Sequence, residues 1–413
     1  MGRHVAIRVL CVAGILAIGA GTARAQTAAD LFDPYALHDI RILINSKDLE
    51  ELRAHFDENT HYPADFLWRD IRVRNISVRS RGTGSRNEIK IGLQISFDKY
   101  TDGQRFLGLS SLVLKNEWQD PALLRERMAM AFYNRMGVAA PRESWARVYV
   151  NNEYWGVYGV IEDLTADFLT RVFGEPASSA ARGEKGDDSS GYLFEYHWQD
   201  RYWRGEDLGD LVAYEPFFPP VTHELDPDTA LYSPFQDWFR EINVEDDAVW
   251  RDRVGRFMDL NEFVIFVAVE VYLSEWDGMT GNWGMNNFFV YRPRNTVLHH
   301  FIPWDRDHSL LQTSGEMGIF FRTDENVIFR RAMAYPDLRT LYLDTLAQCA
   351  QSALQDDWFA TELARNAALI SQAVHDDTRK QFDNDAFDAE IQALTIFAQA
   401  RPGFVLQAVV HAR

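Results

Sequence analysis

Glu275-Trp-Asp-Gly-Met-Thr-Gly-Asn-Trp-Gly-Met-Asn-Asn-Phe-Phe-Val-Tyr291, followed after a turn by Phe301-Ile-Pro-Trp-Asp-Arg-Asp-His308, is the stretch whose reading decides the fold. Asp277 opens a loop rich in Gly and Asn. Asn287 leads a strand of apolar and aromatic residues, and Asp305 and Asp307 end the next strand. Asp, Asn and Gly are also the commonest turn formers, and a hairpin between Tyr291 and His299 needs several of them. The Asp-x-Asp directly after Phe301-Ile-Pro-Trp tips the reading toward chemistry. A strand ending in two carboxylates must solvate or pair both, and a divalent cation does so directly. Hard oxygen ligands gathered at neighbouring strand ends suit Mg2+ or Mn2+, and the whole reads as a metal and phosphate site.

Working outward, Ile40-Arg-Ile-Leu-Ile44 reads as a strand and Ser46 to His55 as a short helix. Ile71 to Ser80 and Ile89 to Phe97 alternate apolar with polar residues on either side of Arg81-Gly-Thr-Gly-Ser-Arg86, which makes a Gly-containing hairpin. Leu112-Val-Leu-Lys115 is a further strand. A helix is expected from Ala122 to Met136, with Asp120-Pro121 at its start and Gly137 at its end. Strands Ala146 to Val150 and Gly156 to Ile161 follow, joined by Asn151-Asn152. Gly174 to Gly191 lacks apolar periodicity and reads as a loop, and Tyr192 to Tyr232 reads as aromatic extended segments. Asp246 to Ser274 and nearly everything beyond Val327 have helical period.

Trp276-Asp-Gly, Asn287-Phe-Phe-Val-Tyr and Ile302-Pro-Trp-Asp-Arg-Asp together resemble the signature of the CotH-like atypical kinase family, named for a bacterial spore-coat kinase. The likeness continues upstream, in order, through Arg81-Gly-Thr-Gly-Ser-Arg86, Phe106-Leu-Gly-Leu, Asp120-Pro-Ala-Leu-Leu-Arg-Glu126, Gly137-Val-Ala-Ala-Pro-Arg142 and Tyr154-Trp-Gly-Val-Tyr-Gly-Val-Ile-Glu162. It implies an α+β fold of the two-lobed protein-kinase type with a largely helical C-terminal region. The activity implied is transfer of the terminal phosphate of ATP to a protein hydroxyl with Mg2+ or Mn2+.

Phosphoryl transfer asks the protein mainly for positioning and charge neutralisation, so each part can be sought by residue type. Gly82-Thr-Gly-Ser85 can bring backbone N–H groups to phosphates, with Arg81 or Arg86 adding charge; a plain hairpin turn is the alternative. Lys90 is the candidate strand lysine, against a solvent-facing lysine as the alternative. Glu126 is the helix acid expected to hold it, against a surface glutamate in i,i+4 pairs. The resemblance places Glu162 at the link between lobes, in reach of nucleotide. It also makes Asp277 the group that orients or deprotonates the acceptor hydroxyl, Asn287 and Asp305 metal ligands, and Asp307 a second ligand or support. The loop from Asp277 to Asn287 is long for that pattern, which leaves Asn282 and Asn286 as alternatives to Asn287.

Two other classes fit part of the chain. His299, His300 and His308 beside the aspartates allow a metal-dependent phosphoesterase, although that leaves Lys90, Glu126 and the Gly loop without a role, and adjacent His299 and His300 point to opposite faces of a strand. The many tryptophans allow a non-catalytic surface-binding protein on the same fold.

The first residues are basic, Val9 to Ala20 is a short apolar run, and Thr22-Ala-Arg-Ala25 closes it, the pattern of a secretory signal peptide cleaved before Gln26. A secreted or periplasmic protein with no integral membrane association after cleavage is expected. The organisation expected is a leader at 1–25, a strand-rich lobe at 26–165, a linking segment at 166–245 and a C-terminal lobe at 246–413. Net charge is -19, and loss of Arg3, Arg8 and Arg24 makes it -22, which disfavours nucleic acid and acidic membranes as partners; nucleotide and an exported protein substrate are the partners the resemblance implies. Of two cysteines only Cys349 lies outside the leader, in an apolar helical pattern, so no internal disulfide is expected.

Overall fold

The computed structural model describes residues 25–175, 189–199, 201–311 and 315–413. Residues 1–24 of the expected leader at 1–25 and most of the loop at 174–191 lie outside them. The first half begins with α1 (Ala28–Leu31), β1 (Leu37–Ile44), α2 (Ser46–Ala54), β2 (Tyr62–Trp68), β3 (Ile71–Arg81), β4 (Gly92–Ser96) and β5 (Ser111–Lys115). It continues through α3 (Arg125–Arg135), β6 (Glu143–Val150) and β7 (Glu153–Ile161). The strands close into a barrel in the order β1-β2-β3-β4-β5-β7-β6, antiparallel throughout except for the parallel pair β1–β6. Strand alternation sends Ile40, Ile42, Phe66, Ile95, Val148 and Val160 into a shared interior. Asn151 and Asn152 both take positive φ, 49° and 68°, the backbone that lets a two-residue turn match the twist of β6 and β7.

The helix after Asp120 starts later than its pattern suggests. Leu123 has left-handed backbone, with φ 57°, and the Asp120 carboxylate accepts the N–H groups of Ala122 and Arg125 at 2.9 and 2.8 Å. An aspartate that satisfies N–H groups in a turn delays the first helical residue to Arg125.

The second half runs through α4 (Ala166–Phe173), β8 (Tyr192–Glu195), α5 (Asp228–Ile242), α6 (Asp247–Val254), α7 (Leu260–Tyr272), β9 (Phe288–Arg292) and β10 (His300–Pro303). It ends in α8 (Val327–Ala332), α9 (Pro336–Leu354), α10 (Trp358–His375) and α11 (Asn384–Ala412). The expected extended segment at 192–232 therefore gives way to helix at Asp228. The helical run at 246–274 is broken before Asp259, whose carboxylate caps α7 by accepting the Asn261 N–H at 2.7 Å. β8, β9 and β10 form an antiparallel sheet in the order β10-β9-β8. Because Phe288 pairs with Pro303, the start of β9 and the end of β10 share one edge, and the Trp304 N–H donates to the Asn287 carbonyl at 3.1 Å.

The fold is α+β, a barrel joined to a helical body whose large core includes Phe132, Phe266, Tyr272, Leu346, Phe359 and Phe397. By length and composition α11 is apolar enough to cross a membrane, a run the sequence reading passed over. In the fold it buries Leu394, Phe397, Arg401 and Val405. The Arg401 guanidinium donates to the carbonyls of Val271 and Tyr272 at the end of α7 and to those of Gly315 and Met317.

Candidate active site

Lys115 ends β5 facing α3. Its Nζ donates to Glu126 Oε2 and to Asp305 Oδ1 and lies 3.0 Å from Asp307 Oδ2. Burial alone would lower the Lys115 pKa, but Asp305, Asp307 and Glu126 more than reverse that and hold it well above the usual lysine range. Burial pushes Glu126 up to about 7, with Lys115 opposing the shift. Burial also raises Asp307, whereas at Asp305 the same effect is outweighed by Lys115 and the carboxyl is held low. The pair at the strand end is thus split, with Asp305 the more firmly ionised.

The loop carrying Asp277 hangs from buried carboxylates. Glu275 accepts the Asp277 N–H at 2.8 Å and the Ser309 hydroxyl. Glu270 accepts the Thr280 N–H at 3.0 Å and pairs with Arg306, 3.1 Å away, both side chains being fully buried. A Cβ on Gly278 would stand 2.4 Å from Arg306 Nη1 and 2.5 Å from the Glu270 carboxyl carbon, so only glycine lets the loop close over that pair. On the other side Asn286 Nδ2 donates to both Asp277 carboxylate oxygens at 3.0 Å. Asn287 Nδ2 donates to Asp277 Oδ2 at 3.0 Å and to the Asp277 carbonyl at 2.9 Å. Burial pushes Asp277 up to about 7; the Asn286 hydrogen bond opposes this and the neighbouring Glu275 charge adds to it. Asn287 and Asp305, which follow each other across the sheet edge, both have left-handed backbone, with φ 57° and 52°.

The hairpin loop lies over the end of β5. Asn116 Nδ2 donates to the Ser85 carbonyl at 2.9 Å, a Cβ on Gly84 would touch Gln119, and Gly82 has φ +116°. Arg81 stacks 4.9 Å over the Trp304 ring beside Asp305. Arg86 turns away and donates to Asn59 Oδ1 at 2.6 Å and to the Asp57 carbonyl, pinning the hairpin to the segment before β2.

Two expectations need correction. Lys90 is buried against Asp377, 2.8 Å away on the turn between α10 and α11, so the partner of Glu126 is Lys115 and not Lys90. Asp377 also accepts the Val157 N–H, and a Cβ on Gly156 would fall 2.2 Å from its carboxylate. Glu162 is saturated: Arg142 N, Arg142 Nη2, Arg171 Nε and Arg171 Nη2 donate to it at 3.0, 2.7, 2.9 and 2.7 Å. A carboxylate offers about four acceptor sites, which leaves none for a nucleotide. Among the loop alternatives, Asn282 accepts from Arg322 at 3.0 Å, whereas Asn286 and Asn287 face Asp277.

The histidines separate. His299 is buried, stacked 4.3 Å on Trp238, with its pKa lowered to about 3 by burial. His300 faces Glu262 at 3.0 Å on the far end of β10. His308 stays close, with Nε2 3.8 Å from Asp307 Oδ1 and its ring edge-on to Trp283.

Among the described residues no three His, Cys, Asp or Glu side chains converge as a metal cage. Mg2+ rarely uses such a cage. It is held by one or two carboxylates with water and substrate phosphate. Asp305 and Asp307, both turned onto the single Lys115 ammonium, supply a donor set of that kind, and the fit is met.

A family model described as CotH kinase protein matches residues 78–405. The chain belongs to the CotH kinase family. Inner spore coat protein H of Bacillus subtilis (strain 168) is 23% identical over 369 residues, covering 88% of this chain and 95% of that protein. Invasin CotH3 of Rhizopus delemar is 23% identical over 306 residues, covering 71% of this chain and 46% of the invasin, so the chain spans under half of that relative. A crystal structure of the Helicobacter pylori proinflammatory kinase CtkA covers 78% of this chain and 94% of its own at 9% identity, with a TM-score of 0.29. At that score the overlap is too loose to transfer a residue. Within the CotH family chain, Lys115, Glu270, Glu275 and Arg306 are the site-forming residues that sequence reasoning missed. Lys115 left one signal, a lysine closing the apolar strand just before the Leu-Leu-Arg-Glu helix.

Proposed function

We propose that the protein is a phosphotransferase that moves the terminal phosphate of ATP to a hydroxyl on an exported protein or on itself. The observation that carries this reading is Lys115, clamped by Glu126 from α3 and facing Asp305 and Asp307 beside the Asp277 loop. A kinase site needs a strand lysine held by a helix glutamate, carboxylates for the cation, and a carboxylate at the acceptor, and these residues occupy those relations.

In this reading Lys115, whose three N–H groups face Glu126, Asp305 and Asp307, turns from the two aspartates to the phosphates while Glu126 fixes its ammonium. The hairpin loop at Gly82 to Ser85 closes over the phosphates with backbone N–H groups. Asp277 accepts the proton of the acceptor hydroxyl as its oxygen bonds to the terminal phosphorus and the bond to the bridging oxygen breaks, releasing ADP. Mg2+ or Mn2+ held at Asp305 and Asp307, with Asn287 as a further ligand, would neutralise charge on the phosphates. The names of the spore-coat and invasin relatives support a coat or surface location, in line with the leader expected at 1–25.

The test is incubation of the chain with terminally labelled ATP and Mg2+ or Mn2+, beside Lys115→Met, Asp277→Ala and Lys90→Met. Label reaching protein should vanish in the first two and persist in folded Lys90→Met. Free phosphate with no labelled protein in the wild type would support a hydrolase instead.

A further inference from the structure

A cavity lies apart from the Lys115 cluster and the Asp277 loop. It has a volume of about 380 Å3 and sits between the C-terminal end of α3, the end of α4, the first turns of α7 and the start of β10. Met136, Val138, Ala139, Val172, Phe173 and Ile265 give it a mostly apolar wall. None of these side chains is fully buried, so the apolar surface is open to a ligand. The polar groups are placed on one side. Asp259 and Glu262 at the N-terminal end of α7 are exposed at the mouth, and His300 Nδ1 meets Glu262 at 3.0 Å. No Lys or Arg is among the lining residues.

A concave site in the range of roughly 300–1,000 Å3, apolar within and bearing few polar groups, is the usual shape of a small-molecule site. Here those groups are acidic. An anionic guest would be repelled by Asp259 and Glu262 at the entrance, whereas an amine can join His300 on the exposed Glu262 carboxylate. We propose that this cavity binds a small ring-bearing amphiphile whose apolar body fills the space beside Phe173 and Ile265 and whose protonated amine meets Glu262. The site is independent of phosphotransfer, since none of its walls is a residue of the Lys115 cluster or the Asp277 loop.

Dansylcadaverine, a fluorescent ring system with an amine tail, is a direct probe, and its N-acetylated form is the neutral control. Titrated with the full chain, the amine should bind saturably with a blue-shifted emission, and the acetylated probe about tenfold more weakly, the equivalent of one favourable charge contact. Glu262→Gln should remove that preference while leaving the acetylated probe unchanged. Ala139→Trp, which fills the cavity from a partly exposed position, should abolish binding of both, with Val138→Trp as a second filling variant and the thermal unfolding midpoint reporting the fold. Equal binding of the two probes, or binding undiminished in a folded filling variant, would overturn the proposal.

Discussion

Asp277 shows how a single carboxyl can be tuned by what surrounds it. Its folded pKa is raised to about 7, chiefly by burial, above the ordinary aspartate range. A raised acid pKa means that the folded chain holds the proton more tightly than the unfolded one. The stability this contributes is present at low pH and is lost as pH rises from about 4 to about 7. Asp277→Asn should therefore stabilise the chelator-treated protein by on the order of a few kcal/mol at pH 8, by roughly a third of that at pH 5 and by little below pH 4, read from thermal unfolding at the three values. Phosphotransfer by the wild type should climb from pH 6 toward pH 8 more steeply than one ionisation allows, because Asp277 and Glu126 both lose their protons near 7. Gly278→Ala drives a methyl group into Arg306 and Glu270 and should lower the transfer rate by about a hundredfold, as misplacement of a reacting group by about 1 Å does. The carboxylates of this site were legible because their residue type and position after an apolar strand already state a chemistry. The choice of lysine was not. Lys90 and Lys115 both follow a strand pattern beside the Gly hairpin, and only the three-dimensional approach of α3 to one, and of the α10–α11 turn to the other, distinguishes them.

Elements here are joined by buried charge. Lys90 and Asp377 bring the turn between α10 and α11 against the start of β4 and the bulged middle of β7, where Gly156 has φ +121° and leaves room for the carboxylate. Removing one partner leaves the other uncompensated in the interior. Lys90→Met should cost about 3–5 kcal/mol in urea unfolding, and adding Asp377→Asn should recover part of it. A cost near zero for the single variant would show that the pair is exposed in solution. The β3–β4 and β6–β7 hairpins could be read from alternation and turn residues, because both signals are local. β2, the barrel closure through β1 and β6, and the late start of α3 could not. Tyr62–Trp68 carries Pro63 and Asp65 in its run, the β1–β6 pair is distant in sequence, and Asp120 serves a turn that imitates a helix start.

Over the whole molecule, the barrel keeps its own interior while the helices share a larger one, and the candidate site lies where β5 and α3 meet the β9–β10 edge. Arg401 ties α11 to the rest of this body, since one buried guanidinium satisfies four carbonyls at the end of α7 and near Gly315. Arg401→Met leaves those groups without their donor and should destabilise the fold by at least about 3 kcal/mol, with the loss visible both in unfolding and in protease cleavage near 274–287. The same clasp sets an order of events during synthesis. Asp277 leaves the ribosome long before Arg401 does, and until α11 docks, the carbonyls of Val271 and Tyr272 at the end of α7 lack their guanidinium donor. The end of α7, and with it the approach to the candidate site, is therefore among the last parts of the fold to gain its full set of hydrogen bonds.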